Sequence, residues 1–327
     1  MRTLAARGIR AVWELGCGHL PRLVIDGADV LWSAPWREDA ALQSDATIPV
    51  VDRRLGGTFV CLPFGRDDVD GGPPHGAVAN APWRIVRAGP SALTATRSTP
   101  RGQVTARVAV HDDHPVLYQT HILDLTAPAT FAHHPILHCA GGGRLSGPAP
   151  PAILTFDAEA PVLPRNARFE GWTGDGRDLR SLPAETCEDF ATIVGRGGIG
   201  WTALARHAED DTILFLRHAA QLPVTNLWLS NGARTHAPWH GQRGLVGIED
   251  AICAGAEGFT AALDGTSRVA AEGVPTCLPP GRHVVPHAIV RVPGCHDVDD
   301  ITFDADSLAI ATDSGAIRVP FDGTHFA

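Results

Sequence analysis

The apolar positions of this chain fall into short runs, among them VTARVAV (104–110), VLYQTHILDL (116–125), TILFLRH (212–218), TNLWLS (225–230), HAIVRV (287–292) and AIRVP (316–320). Many of these positions are β-branched, and the runs recur at strand-plus-turn spacing. Between them lie 35 glycines and 26 prolines. These breakers make up about 19% of the chain against roughly 12% on average, and they leave little room for long helices. Only ALDGTSRVAAEG (262–273) and EDAALQSD (38–45) look helical, and neither keeps an amphipathic repeat over three turns. The pattern predicts an all-β protein of more than twenty short strands. Without a fixed internal period it reads as a large sandwich or barrel rather than a propeller. Residues 1–327 read as one domain, with the Pro-rich GPAPPAILTFDAEAPVLP (147–164) a long crossing loop between sheets.

Composition narrows the chemistry. The 27 basic residues are all arginine; lysine is absent, beside 36 acids and 16 histidines. Schiff-base and pyridoxal-phosphate enzymes, GK[ST] phosphate loops and protein kinases each need a lysine and are excluded. Acid–base work falls to His, Asp and Glu. A net charge of −9 argues against nucleic acid, whose affinity comes from a basic face. Seven scattered cysteines without a CxxC pair suit free thiols in a reducing compartment. No run of 18 apolar residues occurs, and the first twenty residues lack the apolar centre of a secretion signal. These features predict a cytoplasmic protein without a membrane partner, monomeric or homodimeric.

Two tempting motifs weaken in context. Gly195, Gly197 and Gly200 form a GxGxxG after the strand-like ATIV. The following WTALARH is too short for a crossover helix, and Gln221 stands where a ribose-binding acid belongs, so these are turn glycines. Histidines gather at FAHHPILH, HDDH and THAPWH, which raises a metal-dependent β-fold enzyme as one reading. None shows HxH followed by Glu, and Pro238 keeps His236 and His240 off one helical face. No GxSxG elbow is present.

Three segments carry more together. GGTFVCLPFGRDDVDGGPPHGAVANAPW (56–83) holds PFGR and His75-Gly76; TFAHHPILHCAGGGRL (130–145) holds His133-His134-Pro135; TNLWLSNGARTHAPWHGQRGLVGIED (225–250) ends in GIED. In this order they resemble the galactose mutarotase (aldose 1-epimerase) superfamily, and ELGCGHLPRLVIDGADVLW (14–32) is similar to its opening hairpins. The resemblance implies a β-supersandwich with large antiparallel twisted sheets, one concave face of which receives a free sugar. It also implies an isomerase that interconverts α and β anomers by acid–base ring opening, without metal or organic cofactor.

By the same resemblance, Glu249 matches the base. Its position at the end of a buried strand favours a raised pKa. His134 matches the acid, and His133, on the other face of the strand, is its competitor and a further substrate contact. Base and acid are expected on opposite sides of the ring. His75 matches the histidine that hydrogen-bonds the sugar, and Arg66, one residue short of the usual spacing, the arginine that holds hydroxyls. Trp83, Trp228 and Trp239 flank the segments and offer indole faces. Asn231 and Arg234 offer an amide and a guanidinium. Two positions depart from the pattern: Ala79 stands where an arginine often follows HG, and no acid between His134 and Glu249 matches the usual hydroxyl-holding one. A non-catalytic carbohydrate-binding protein of the same fold is the main alternative.

Overall fold

The density of breakers translates directly into short elements. The computed structural model describes residues 1–327, in which 25 strands alternate with five α-helices and three 3₁₀ turns. The 262–273 segment splits into helices Gly258–Asp264 and Arg268–Ala271, because Gly265 adopts a left-handed conformation (φ 63°) that ends the first. The 38–45 segment gives helix Ala40–Ser44, capped by the Asp39 carboxylate, which accepts from the N–H groups of Ala41 and Leu42. Gly197 and Gly198, with φ of 64° and 48°, make the turn between strands Cys187–Val194 and Ile199–Arg206.

Two eight-stranded antiparallel sheets form the body. The first runs Arg168–Phe169, Ala152–Thr155, Cys187–Val194, Val224–Asn231, Leu245–Ile252, Phe131–His133 and Val60–Cys61, with Ile136–His138 also on Leu245–Ile252. The second runs Gly143–Ser146, Ile199–Arg206, Asp211–His218, Gly281–Pro293, Val116–Leu125, Gly102–Ala109, Ala92–Thr99 and Arg84–Ala88. Within 147–164 the crossing between sheets takes only residues 147–151. Ala152–Thr155 is already a strand of the first sheet.

Between the sheets lies the main core, in which Leu227, Leu229, Val246 and Ile248 of the first meet Leu204, Phe215, Ile289 and Leu117 of the second. Strands Val298–Phe303, Ser307–Thr312 and Gly315–Pro320 form a three-stranded sheet, whose Leu308, Ile310 and Val319 pack with Leu214, Leu216 and Val290 of the second. The outer face of the first sheet is only partly covered, by Val51, Phe59, Phe64 and Ala79 packed on Ala132, Val224 and Ala251. Leu55, Phe64, Phe190, Trp228 and Trp239 belong both to this cover and to the wall of a pocket. All seven cysteines are unpaired. No helix is long and apolar enough to cross a membrane.

Candidate active site

The register of one strand pair builds the centre of this pocket. Phe131–His133 pairs antiparallel with Leu245–Ile252, Phe131 opposite Ile252 and Ala132 opposite Ala251. Ile136–His138 resumes the same register, Ile136 opposite Gly247. Pro135 has no N–H and interrupts the ladder; there the His134 N–H turns to the Phe59 carbonyl (2.8 Å), while the Ile248 N–H reaches the Pro135 carbonyl (3.1 Å). Continued through the gap, the register sets His134 across from Glu249 on the outer face and His133 across from Asp250 on the inner face.

His134 Nε2 and Glu249 Oε1 stand 3.0 Å apart, and both side chains are almost wholly buried. They meet on one wall of the pocket, rather than on opposite sides of a ring-sized space. Burial raises the Glu249 carboxyl to about 8, with the Asn226 side chain pulling the other way. Burial, with the nearby His75 adding to it, pushes His134 well below its ordinary value. Near neutral pH the pair therefore holds one proton between them, favoured on the carboxyl. The second oxygen of Glu249 and Nδ1 of His134 have no protein partner.

His75 completes the floor. Its ring stands edge-on to His134, centroids 5.1 Å apart. Nδ1 lies 3.0 Å from the Cys61 thiol and accepts the Gly65 N–H at 3.4 Å. The ring hydrogen is thus assigned to Nε2, which becomes a donor. Burial lowers this histidine to about 4 and keeps it neutral. The neighbouring glycine is required by contact: a Cβ on Gly76 (φ +71°) would lie 1.8 Å from the Leu62 carbonyl oxygen. Arg66 also lines the pocket, its side chain mostly exposed and 3.4 Å from Asp68.

One wall is aromatic and cationic. Arg234 lies 4.5 Å from the Trp239 ring centroid and 5.6 Å from that of Trp228. A buried acid, Glu188, ties this wall together, accepting from Trp228 Nε1 at 2.5 Å and pairing with Arg234, whose Nη2 lies 2.7 Å away. The sequence reading missed Glu188, Phe190 and Asp52, which stands at the rim near Arg234. Glu188 carried a signal, being an acid at a buried strand position between His134 and Glu249. The whole pocket measures about 480 Å³, within the range of small-molecule sites. A second cavity of about 310 Å³ is lined mainly by aliphatic side chains such as Ile153, Leu163 and Leu227. Its Arg177 and Glu185 pair with each other at 3.2 Å.

Three expected contacts lie elsewhere. His133 points inward, fully buried between the sheets, because adjacent strand residues face opposite ways. Trp83 is a core residue, edge-on to Trp13 at 5.8 Å, its Nε1 donating to the Val78 carbonyl. Asn231 braces a turn: its amide donates to the Glu185 carbonyl (2.7 Å) and its oxygen accepts the Gly244 N–H. Ala79 is fully buried under the first sheet's cover, where a guanidinium has no room. The histidines of FAHHPILH separate as well, His138 lying beside Glu209 at 3.8 Å. His75, His134, Glu249, Arg66, Arg234 and Trp239 do come together around the pocket.

No family model matches the chain, and no curated protein matches it. Solved structures do. A candidate aldose 1-epimerase of Escherichia coli K12 superposes with a TM-score of 0.64 at 14% identity, over 89% of this chain and 98% of that one. A candidate mutarotase of Salmonella typhimurium gives 0.62 at 14%, over 89% and 90%. A galactose mutarotase related enzyme of Lactobacillus acidophilus gives 0.59 at 12%, over 91% and 99%. Mostly β, with large antiparallel sheets in the same arrangement over nine-tenths of its length, the chain has the galactose mutarotase-like fold.

Proposed function

We propose that this protein is an isomerase of the aldose 1-epimerase type, interconverting the anomers of a sugar by ring opening. The observation that supports this reading is the buried His134–Glu249 contact of 3.0 Å at the floor of an open pocket on this fold. The ring oxygen and the anomeric hydroxyl of an aldose are bonded to the same carbon. A base and an acid 3.0 Å apart can therefore serve both.

The competent form has the shared proton on His134 and a carboxylate at Glu249, reached by proton transfer across their 3.0 Å contact. Glu249 takes the proton of the anomeric hydroxyl. The bond from C1 to the ring oxygen breaks, and the ring oxygen receives the His134 Nε2 proton. His75 Nε2 donates a hydrogen bond to the oxygen becoming an aldehyde. Rotation about C1–C2 turns the other carbonyl face to the hydroxyl, and the steps reverse, returning each proton. Neither a metal nor an organic cofactor enters this scheme. Trp228, Trp239 and Arg234 offer a stacking and hydrogen-bonding wall for the sugar, and Arg66 a cation at the opening.

Exchange NMR on a panel of aldoses tests the reading. Glu249→Gln should slow the anomer exchange of the best substrate by on the order of 10²-fold or more. Parent-like exchange in that variant overturns the assignment. The same wall, together with the buried Ala79, favours a second reading, sugar binding without catalysis. Calorimetric binding with no acceleration of exchange by the parent would select it.

A further inference from the structure

Directly behind the His134–Glu249 pair, the interior of the sandwich is polar where aliphatic packing surrounds it. The two residues next in sequence, His133 and Asp250, point inward from the same two strands, and one side chain from the opposing sheet touches both. That side chain is His287, on strand Gly281–Pro293, fully buried. Its ring stacks on His133, centroids 4.0 Å apart and planes 11° apart. Its Nδ1 lies 3.3 Å from the Gln119 amide nitrogen, a donor. The hydrogen of His287 is therefore on Nε2, which donates to Asp250 Oδ2 at 3.1 Å.

Asp250 also accepts from the Thr225 hydroxyl at 2.6 Å and is paired with the Arg217 guanidinium, Nη1 2.9 Å away. Against the cost of burial, these contacts and that with His287 keep it a carboxylate. His133 is not satisfied: neither ring nitrogen meets a protein partner. An apolar ring of the same shape would avoid that loss. The cluster is thus poorly explained as packing.

We infer that His287 is a positioning residue for the reaction: from the opposing sheet it fixes His133 and Asp250 together and so holds His134 and Glu249 in contact on the outer face. The coupling is mechanical and short, since His133–His134 and Asp250–Glu249 are each joined by one peptide bond within paired strands. The side chains facing His287 are Asp250, His133 and Gln119, with Arg217 beyond Asp250 and His121 edge-on to His133 at 4.8 Å. The His325 ring, from the C-terminal turn, reaches the His287 backbone carbonyl at 3.0 Å. The inference about kcat rests on the proposed isomerase reading; the contact it explains does not.

Two variants separate the bond from the stack. His287→Phe keeps a ring against His133 and removes the donor to Asp250, whereas His287→Gln keeps a donor and removes the ring. In the free protein, carboxyl ¹³C NMR should show the Glu249 titration moved by about half a pH unit or more in His287→Phe, and moved back toward the parent in His287→Gln. With the best sugar, His287→Phe should lower kcat on the order of tenfold, KM staying within about twofold. His121→Phe, in the same cluster but off Asp250, should leave both readings as in the parent. Should His287→Phe fail to fold, His133→Leu takes its place, with the same shift expected. A parent-like Glu249 titration in the variant that folds overturns the inference, and so does an equal shift in His121→Phe. The titration needs no turnover, so an absence of isomerase activity in the parent would refute the proposed function alone.

Discussion

Replacing Glu249 by Gln exchanges a carboxyl for a carboxamide of nearly the same shape, and the consequence for stability can be worked out. Glu249 is 2% exposed, and burial raises it from 4.5 to about 8. Between those values the folded chain keeps a proton that the unfolded chain has released. The stabilisation from this group is complete below pH 4.5 and is lost as pH rises through 8. At 1.36 kcal/mol per pH decade, the whole span is about 5 kcal/mol, comparable with the net stability of an ordinary domain. Glutamine has no proton to lose. Relative to the parent, Glu249→Gln should therefore gain about 1 kcal/mol per pH unit from pH 5 to 8 and level off above. Other groups titrate in both proteins and cancel in the difference. Urea unfolding at pH 5, 7 and 9, followed by the fluorescence of the eight tryptophans, measures it. A difference that stays constant across this range refutes the buried neutral carboxyl.

The pair needs one shared proton to act, so kcat/KM should fall about tenfold per pH unit above pH 8, after subtraction of the uncatalysed rate; a flat profile to pH 10 counts against Glu249. Gly76→Ala puts a methyl 1.8 Å from a backbone carbonyl at a left-handed position and should cost at least about 2 kcal/mol. Gly65→Ala, also left-handed but facing open space, should cost about 1 kcal/mol, so thermal unfolding that ranks the two alike contradicts the contact. Glu188→Gln keeps an acceptor for Trp228 and removes the charge opposite Arg234. Sugar KM should rise about threefold to tenfold, and a loss confined to kcat would place Glu188 in the chemistry instead.

How much of this was legible beforehand differs between fold and site. The spacing of glycines, prolines and β-branched runs determined an all-β chain with short elements, because backbone freedom and side-chain branching act locally. The resemblance carried by PFGR, HG, HHP and GIED pointed to Glu249, His134 and His75, and the fold brings these three to one pocket. A period of two says that His133 and His134 face opposite ways, but not which face is covered. Only the packing of the second sheet against the first decided that, sending His133 inward to His287 and leaving His134 opposite Glu249. Trp83 and Asn231 looked like sugar contacts for the same reason. Residue type names what a side chain can do, whereas its contacts depend on chain segments distant in sequence: Val78 and Trp13 for one, Glu185 and Gly244 for the other. Glu188 shows the converse, an ordinary strand acid in the sequence that becomes the tie between Trp228 and Arg234 once two strands pair and the loop after Val224–Asn231 folds over them. The sequence determined which groups are present and which elements carry them. Tertiary structure decided which of them share a desolvated space, and burial there is what raises the Glu249 carboxyl and lowers the His134 imidazole.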